Sequence, residues 1–271
     1  MPNPLIIVGV IAFIIFLLWL IRYMTLNPNT LQGMTDATVG TKIDADSLAT
    51  KTDGVPDSNF SYSIWFYIND WNYRYGKPKV LFGRMGGKAG SGSSDSHNNS
   101  QGSGSGGQTQ GPIDGIGGKD PCPVVTLGAK ENNLMVALGC YPGADEEPTT
   151  VGGATVVHTC GIGNIPIQKW TNLIISVYGR TLDIYIDGKL VRTCLLPGVA
   201  KVNDNAAVIV TPMGGFDGWT SKFQYYSDSL NTQQAWNIYE GGYKNGLFAG
   251  SYQLQMNLIS NGSTQSTYTV G

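Results

Sequence analysis

The chain predicts a mainly β, antiparallel protein behind one N-terminal transmembrane helix, and three observations lead there. Seventeen consecutive apolar residues fill positions 5–21. The rest of the chain combines 37 Gly with only 13% charged residues and with aromatic and β-branched runs, a composition of strands and turns rather than of helices. Turn-forming pairs, among them Asp187-Gly188 and Asn261-Gly262, separate those runs at hairpin spacing.

Composition also removes function classes. Seventeen Lys and Arg against 19 Asp and Glu leave a net charge of −2, so no basic field exists to hold a nucleic-acid backbone. Two His and four Glu leave little material for acid–base catalysis or a His-rich metal site, and no cofactor is expected.

Residues 1–24 read as a membrane anchor. As a helix the apolar run rises about 26 Å at about 1.5 Å per residue. Leu5 and Ile21 bound it, Ile14 lies near its middle, Trp19 and Tyr23 sit where an interfacial aromatic belt falls, and Arg22 marks the water boundary. A cleaved signal peptide fits less well, because there is no basic segment before the run and RYMTLNPNT offers no small-x-small cleavage site. Arg22 favours the C-terminal bulk on the cytosolic side, which leaves the sequons at Asn59, Asn98 and Asn261 bare. The first expected partner is therefore a lipid bilayer, through residues 5–22.

Residues 25–53 show no sustained period and read as a linker, and residues 54–250 as the folded domain. Residues 60–68, FSYSIWFYI, form a buried strand, residues 79–82 a shorter one, and residues 86–118 a Gly/Ser-rich inserted loop in which 12 of 33 positions are Gly. PVVTLGAKENNLMVALGCYP reads as a hairpin about Lys130-Glu131-Asn132. Folding about Asp187-Gly188 pairs Ile186 with Lys189, Ile184 with Val191 and Asp183 with Arg192. Ile184, Ile186 and Val191 then face the core, while Asp183, Tyr185 and Arg192 face away. Residues 207–211 and GFDGWTSKFQYYSDSL carry further strands, and residues 233–239 a short helix capped by Ser229 or Asn231 and ended by Gly241-Gly242. In residues 251–271, Tyr252, Leu254, Met256 and Leu258 alternate with polar residues around the Asn261-Gly262 turn, as a polar β-ribbon does.

One constellation suits binding. Trp71, Tyr73 and Tyr75 alternate with Asn72 and Arg74, so the rings can stack on sugar C–H faces while the polar pair bonds hydroxyls. The same pattern more often describes a strand end whose aromatics pack on the domain or on a neighbour, which is the favoured reading. Asp204, Asn205 and Asp217 are oxygen donors, but a calcium site needs six or more oxygens and scattered loop Asp residues serve as turn caps, so no metal is expected. His158 stands alone without a Cys or Asp at ligand spacing. Cys122 and Cys140 fall opposite each other across their hairpin, so a cross-strand disulfide is open; on the cytosolic side all four cysteines, 122, 140, 160 and 194, stay reduced.

Taken in order, FSYSIWFYIND, the display hairpin, KWTNLIISVYGRTLDIYIDGKLV and GGFDGWTSKFQYYSDSLNTQQAWNIYEGG resemble the LamG-like branch of the concanavalin A-like lectin/glucanase superfamily. Trp170 opening a strand, the turn from Tyr185 to Lys189, and Gly218 ahead of the strand leading to Leu230 carry the likeness, which covers about residues 54–248. It implies a two-sheet antiparallel jelly-roll sandwich. Glucanases of that superfamily use a Glu-x-Asp-x-x-Glu strand, whereas Glu occurs here only at 131, 146, 147 and 240, so the chain is not expected to be an enzyme. An anchored domain of this kind with Gly/Ser loops and a polar β tail is also similar to membrane-anchored minor capsid proteins of large icosahedral DNA viruses. That likeness implies a structural virion component bridging an internal membrane and the capsid shell. Its partners would be capsid or other structural proteins, met through the jelly roll and the C-terminal ribbon. The alternative is a membrane-anchored carbohydrate-binding lectin or adhesin.

Overall fold

Alternation along Phe60–Asp70 puts Phe60, Tyr62, Ile64, Phe66 and Ile68 on one side of a strand, and in the computed structural model these five are buried together between two sheets. The structure describes residues 4–25, 27–48, 58–86, 120–143, 155–244, 254–260 and 263–270. After helix α1 (Pro4–Thr25) come β1 (Thr30–Gln32), β2 (Thr35–Asp36), β3 (Thr41–Ile43), β4 (Phe60–Asp70), β5 (Lys79–Gly86), β6 (Asp120–Leu127) and β7 (Asn133–Cys140). Then follow β8 (Val156–Gly163), β9 (Thr171–Tyr178), β10 (Thr181–Ile186), β11 (Lys189–Leu195), β12 (Val208–Val210) and β13 (Asp217–Tyr226). Helix α2 (Thr232–Glu240) and the strands β14 (Leu254–Ser260) and β15 (Ser263–Val270) complete the order.

The protein is mainly β, two antiparallel sheets forming a sandwich. One sheet has seven strands in the order β1-β13-β4-β9-β10-β11, with β2 also on β13, and the other has six in the order β3-β12-β5-β6-β7-β8. Their facing sides share one core, in which Phe66, Leu81, Val125, Leu138, Leu173, Ile184, Val208 and Phe216 are buried. A second, smaller core lies on the outer side of the seven-stranded sheet, where Leu230 and Ala235 of the α2 region cover Ile174 and Tyr185. Asn231 caps α2 in a reciprocal pair with Gln234, the arrangement that Asn followed three residues later by Gln favours.

Several expectations change. Residues 25–53 are not simply a linker, because β1 and β2 pair with β13 and β3 pairs with β12. Strands of two or three residues are too short for alternation to show in sequence. The hairpin at Asp187-Gly188 keeps Ile186 opposite Lys189, but an irregularity between Ile184 and Tyr185 sets Ile184 opposite Arg192 and Asp183 opposite Thr193. Val191 is consequently exposed, Asp183 accepts from the Thr193 hydroxyl rather than pairing with Arg192, and Tyr185 is buried under α2. Both faces of β10 are thus covered.

The cysteine expectation is also corrected. Cys160 and Cys194 form a disulfide between β8 and β11, which are edge strands of the two sheets, so the bond ties the sandwich layers at one side. Cys122 and Cys140 are buried thiols. The register Leu127 to Leu134 and Val124 to Ala137 is one residue off the symmetry that sets 122 opposite 140. Of the sequons, Asn59 is 4% exposed and its side-chain amide oxygen accepts from Gly179 N–H, while Asn98 and Asn261 lie outside the described residues. The loop of residues 86–118 also lies outside them, apart from Gly86, which ends β5. Strands β14 and β15 pair with each other and, among the described residues, with neither sheet.

Among the residues whose side chains are described, no helix is long and apolar enough to cross a membrane. In α1 those side chains are Gly9 and residues 11–20.

Candidate functional site

Antiparallel pairing brings one set of connections to one end of the sandwich. β4 ends at Asp70 opposite the start of β13 at Asp217, and near it β9 begins. β5 begins at Lys79 opposite the end of β6 at Leu127. β12 ends there too, beside the first residue of β3. The loops 37–40, 71–77, 128–132, 164–170, 187–188 and 211–216 therefore share this loop end. They are knitted by hydrogen bonds: Gly76 N–H to Ala129 O, Arg74 to Met213 O, Phe216 N–H to Ala37 O, Asn132 to Ile165, and Gln168 N–H to Ile68 O.

Backbone strain gathers at the same end. Seven non-glycine residues among those described have positive φ, and six of them are here: Arg74 (53°), Asn164 (58°), Gln168 (57°), Asp187 (49°), Thr211 (47°) and Met213 (54°). Asn and Asp adopt this region readily, but a β-branched Thr is a steric outlier, and each such residue costs on the order of 1–3 kcal/mol. Thr211 is held by its N–H to Leu81 O and its hydroxyl to Val39 O. The rim of these loops exposes Val39, Ile167, Tyr75 (60%) and Met213 (55%).

The sequence-predicted strip lies in this end, in the turn after β4 rather than on a strand. Trp71 is half-buried and packs against the main core, and Asn72 is exposed with its N–H on the Asp70 carboxylate. Tyr73 is half-buried with its hydroxyl beside Gly214, Arg74 donates to Met213 O, and Tyr75 is open. A turn does not maintain a period of two, so the three rings share no face and only Tyr75 is free to stack on a ligand. The sequence pattern located the strip but not Lys79, eight residues beyond Trp71, whose ammonium lies 5.0 Å from the Trp71 ring centre. Strand β5 is buried along its whole length, and only the fold shows that its first residue is a charged one beneath the loops.

The other candidates do not converge. Asp217 accepts from Asn69 at the loop end, whereas Asp204 and Asn205 lie before β12 at the opposite end, Asp204 beside Arg84. His158 is half-buried opposite Leu138. Among the described residues no group of three or more His, Cys, Asp or Glu is placed to hold a metal ion, and the described Glu residues, 131 and 240, sit in a turn and at the end of α2. In α1, Ile14 and Trp19 are exposed and Trp19 stacks on Phe16; Leu5, Ile21 and Arg22 belong to the helix, with side chains outside the described set.

A shallow cleft of about 200 Å³ lies where the chain arriving from α1 meets α2, lined by Asn27, Lys222, Gln224, Asn237, Ile238 and Gly241. Burial holds Lys222 below its ordinary pKa, and its ammonium donates to Gly241 O, closing the C-terminus of α2. This is a structural junction.

No protein-family model matches the chain, and no curated protein matches it. Solved structures similar to it include the receptor binding domain of botulinum neurotoxin D, with a TM-score of 0.47 and 12% identity over 77% of this chain and 44% of that one. The binding domain of botulinum neurotoxin serotype G has a TM-score of 0.44 and 13% identity over 83% and 52%. The chain spans about half the length of these relatives or less, and the likeness carries no argument about what it binds.

Proposed function

We propose that the chain is a non-catalytic, membrane-anchored recognition protein of lectin or adhesin type whose loop end is the binding surface. The observation that carries this reading is the separation of helix α1 from the strained loops. β13 runs from Asp217 at the loop end to Tyr226, and the chain leaving α1 joins it at the far end, where Asn29 O accepts from Tyr225 N–H. Ten residues of strand separate the two ends by about 30 Å at about 3.3 Å each.

Two features support the anchor and its side. α1 is 22 residues long, about 33 Å at about 1.5 Å per residue, and the large apolar side chains described in it stand exposed, a pattern suited to lipid and not to water. A disulfide persists in an oxidising compartment, which favours the lumenal or outer side for the sandwich over the cytosolic side that Arg22 suggested. A second reading, the minor capsid component between membrane and shell, draws its support from the ribbon β14–β15, since a two-stranded ribbon paired with neither sheet suits docking on a partner protein.

The test is a glycan array probed with the full-length chain in phosphatidylcholine nanodiscs, comparing wild type with Tyr75→Ala, Met213→Gly and, at the far end, Tyr178→Ala. Binding lost in the first two and retained in the third supports the reading. A blank array, or loss only with Tyr178→Ala, overturns it. Release of the full-length chain from membranes by high salt removes the anchor, and cross-links from the ribbon to neighbouring shell proteins replace the lectin reading with the capsid one.

A further inference from the structure

Lys79 begins β5 at the loop end with 1% of its surface exposed, and its ammonium has no hydrogen-bond acceptor among the described residues. The indole N–H of Trp71, whose ring lies over that ammonium, has none either. Two neighbouring side chains thus hold buried donors that the fold leaves unsatisfied. Burial and then the Arg74 guanidinium hold the Lys79 pKa below its ordinary value, while Asp70 works against them.

An apolar residue at position 79 would cost the sandwich nothing of this kind, so stability does not explain the lysine. The unsatisfied donors sit under loops in which Arg74, Gln168, Thr211 and Met213, residue types that disfavour it, hold positive φ, and a buried ammonium aimed at no acceptor marks a site shaped for a ligand. The cover over Lys79 is the 71–77 turn, tied to the neighbouring loops through Arg74 to Met213 O and Gly76 N–H to Ala129 O.

We propose that Lys79 and the Trp71 indole N–H form a recessed carboxylate subsite of the loop-end surface, taking the acid group of a carboxylated sugar as residues 72–77 lift while Trp71 stays packed on the core. This rests on the recognition reading above. One carboxylate presents two oxygens to two donors, and neither donor competes with a ligand for an existing acceptor. The open ring of Tyr75 and the exposed amide of Asn72 supply what a sugar ring needs outside the subsite, an apolar stacking face and a hydroxyl partner. An acidic peptide would use the donors and leave the stacking face idle.

The full-length protein in phosphatidylcholine nanodiscs is titrated with sodium glucuronate, glucose and triglutamate, reading melting temperature and calorimetric affinity. Glucuronate alone raises the melting temperature of wild type. Lys79→Met weakens glucuronate at least tenfold and melts higher than wild type without ligand. Trp71→Phe keeps the ring, removes one donor and weakens binding by a smaller factor. No response to glucuronate, an unchanged response in Lys79→Met, or a lower melting temperature for that unliganded variant overturns the subsite. A response to triglutamate alone reassigns the donors to acidic peptides and overturns the sugar assignment. Array binding of carboxylated glycans that survives Lys79→Met sinks the subsite while leaving the recognition reading intact, whereas array binding indifferent to Met213→Gly sinks the latter.

Discussion

Removing the Cys160–Cys194 bond is expected to cost the sandwich a large part of its stability. The two cysteines are 34 residues apart, and closing a loop of that size lowers unfolded-chain entropy by an amount worth about 4 kcal/mol. Small domains are stable by about 5–15 kcal/mol in all, so the effect is readily measured. The bond also joins β8 to β11, each paired along one side only, so these edge strands are where the sheets separate first once it is gone. The assay is urea unfolding of the full-length protein in detergent, followed by tryptophan fluorescence, for wild type with and without reductant and for Cys160→Ala, Cys194→Ala and the double variant. The single and double variants should lose about the same amount, because the bond is lost once. A change under about 1 kcal/mol, or losses that add between the two sites, refutes the reasoning.

Three further outcomes follow from local geometry. Gly218→Ala should prevent β13 from pairing with β4, because Gly218 has φ +152° and an added methyl meets the Tyr67 carbonyl; a soluble variant with wild-type near-ultraviolet circular dichroism contradicts this. Asn231→Ala removes the α2 cap and should cost about 1 kcal/mol in urea unfolding, since Asn231 and Gln234 each satisfy a backbone N–H of the other. Burial pushes Tyr226 up to about 12 from 10.0, with a hydrogen bond to Asn27 opposing. Because its pKa is higher folded than unfolded, its contribution is complete below pH 10 and is lost as pH rises through about 12. Tyr226→Phe should therefore lose less stability over that window than wild type, and identical profiles would contradict the assignment.

The strands with large alternating residues were legible in the sequence, because burying one face of a strand forces a period of two. β13 through Phe223 and Tyr225 carries that signature, while Phe60 to Ile68 and the hairpin about Lys130 to Asn132 show the aromatic and apolar runs of strands buried on both faces. The α2 cap was legible for a similar reason: Asn231 and Gln234 act within one helical turn. Short-range chemistry also marked Asp187-Gly188 as a turn and Trp71 to Tyr75 as a place of interest. Tertiary structure decided what depends on contacts between distant segments. Strands of two or three residues exist only because β12 and β13 offer them edges. The irregularity after Ile184 is a register choice that moves Val191 outward and lets α2 bury Tyr185. Cys160 finds Cys194 because the two sheets stack, and no spacing along the chain encodes that. The candidate site divides the same way. Sequence located its rim, whereas the unsatisfied pair of Lys79 and Trp71 and the gathering of strained loops at one end arise only when β4 and β5 fold into opposite sheets and bring both ends of the 71–77 turn over one core.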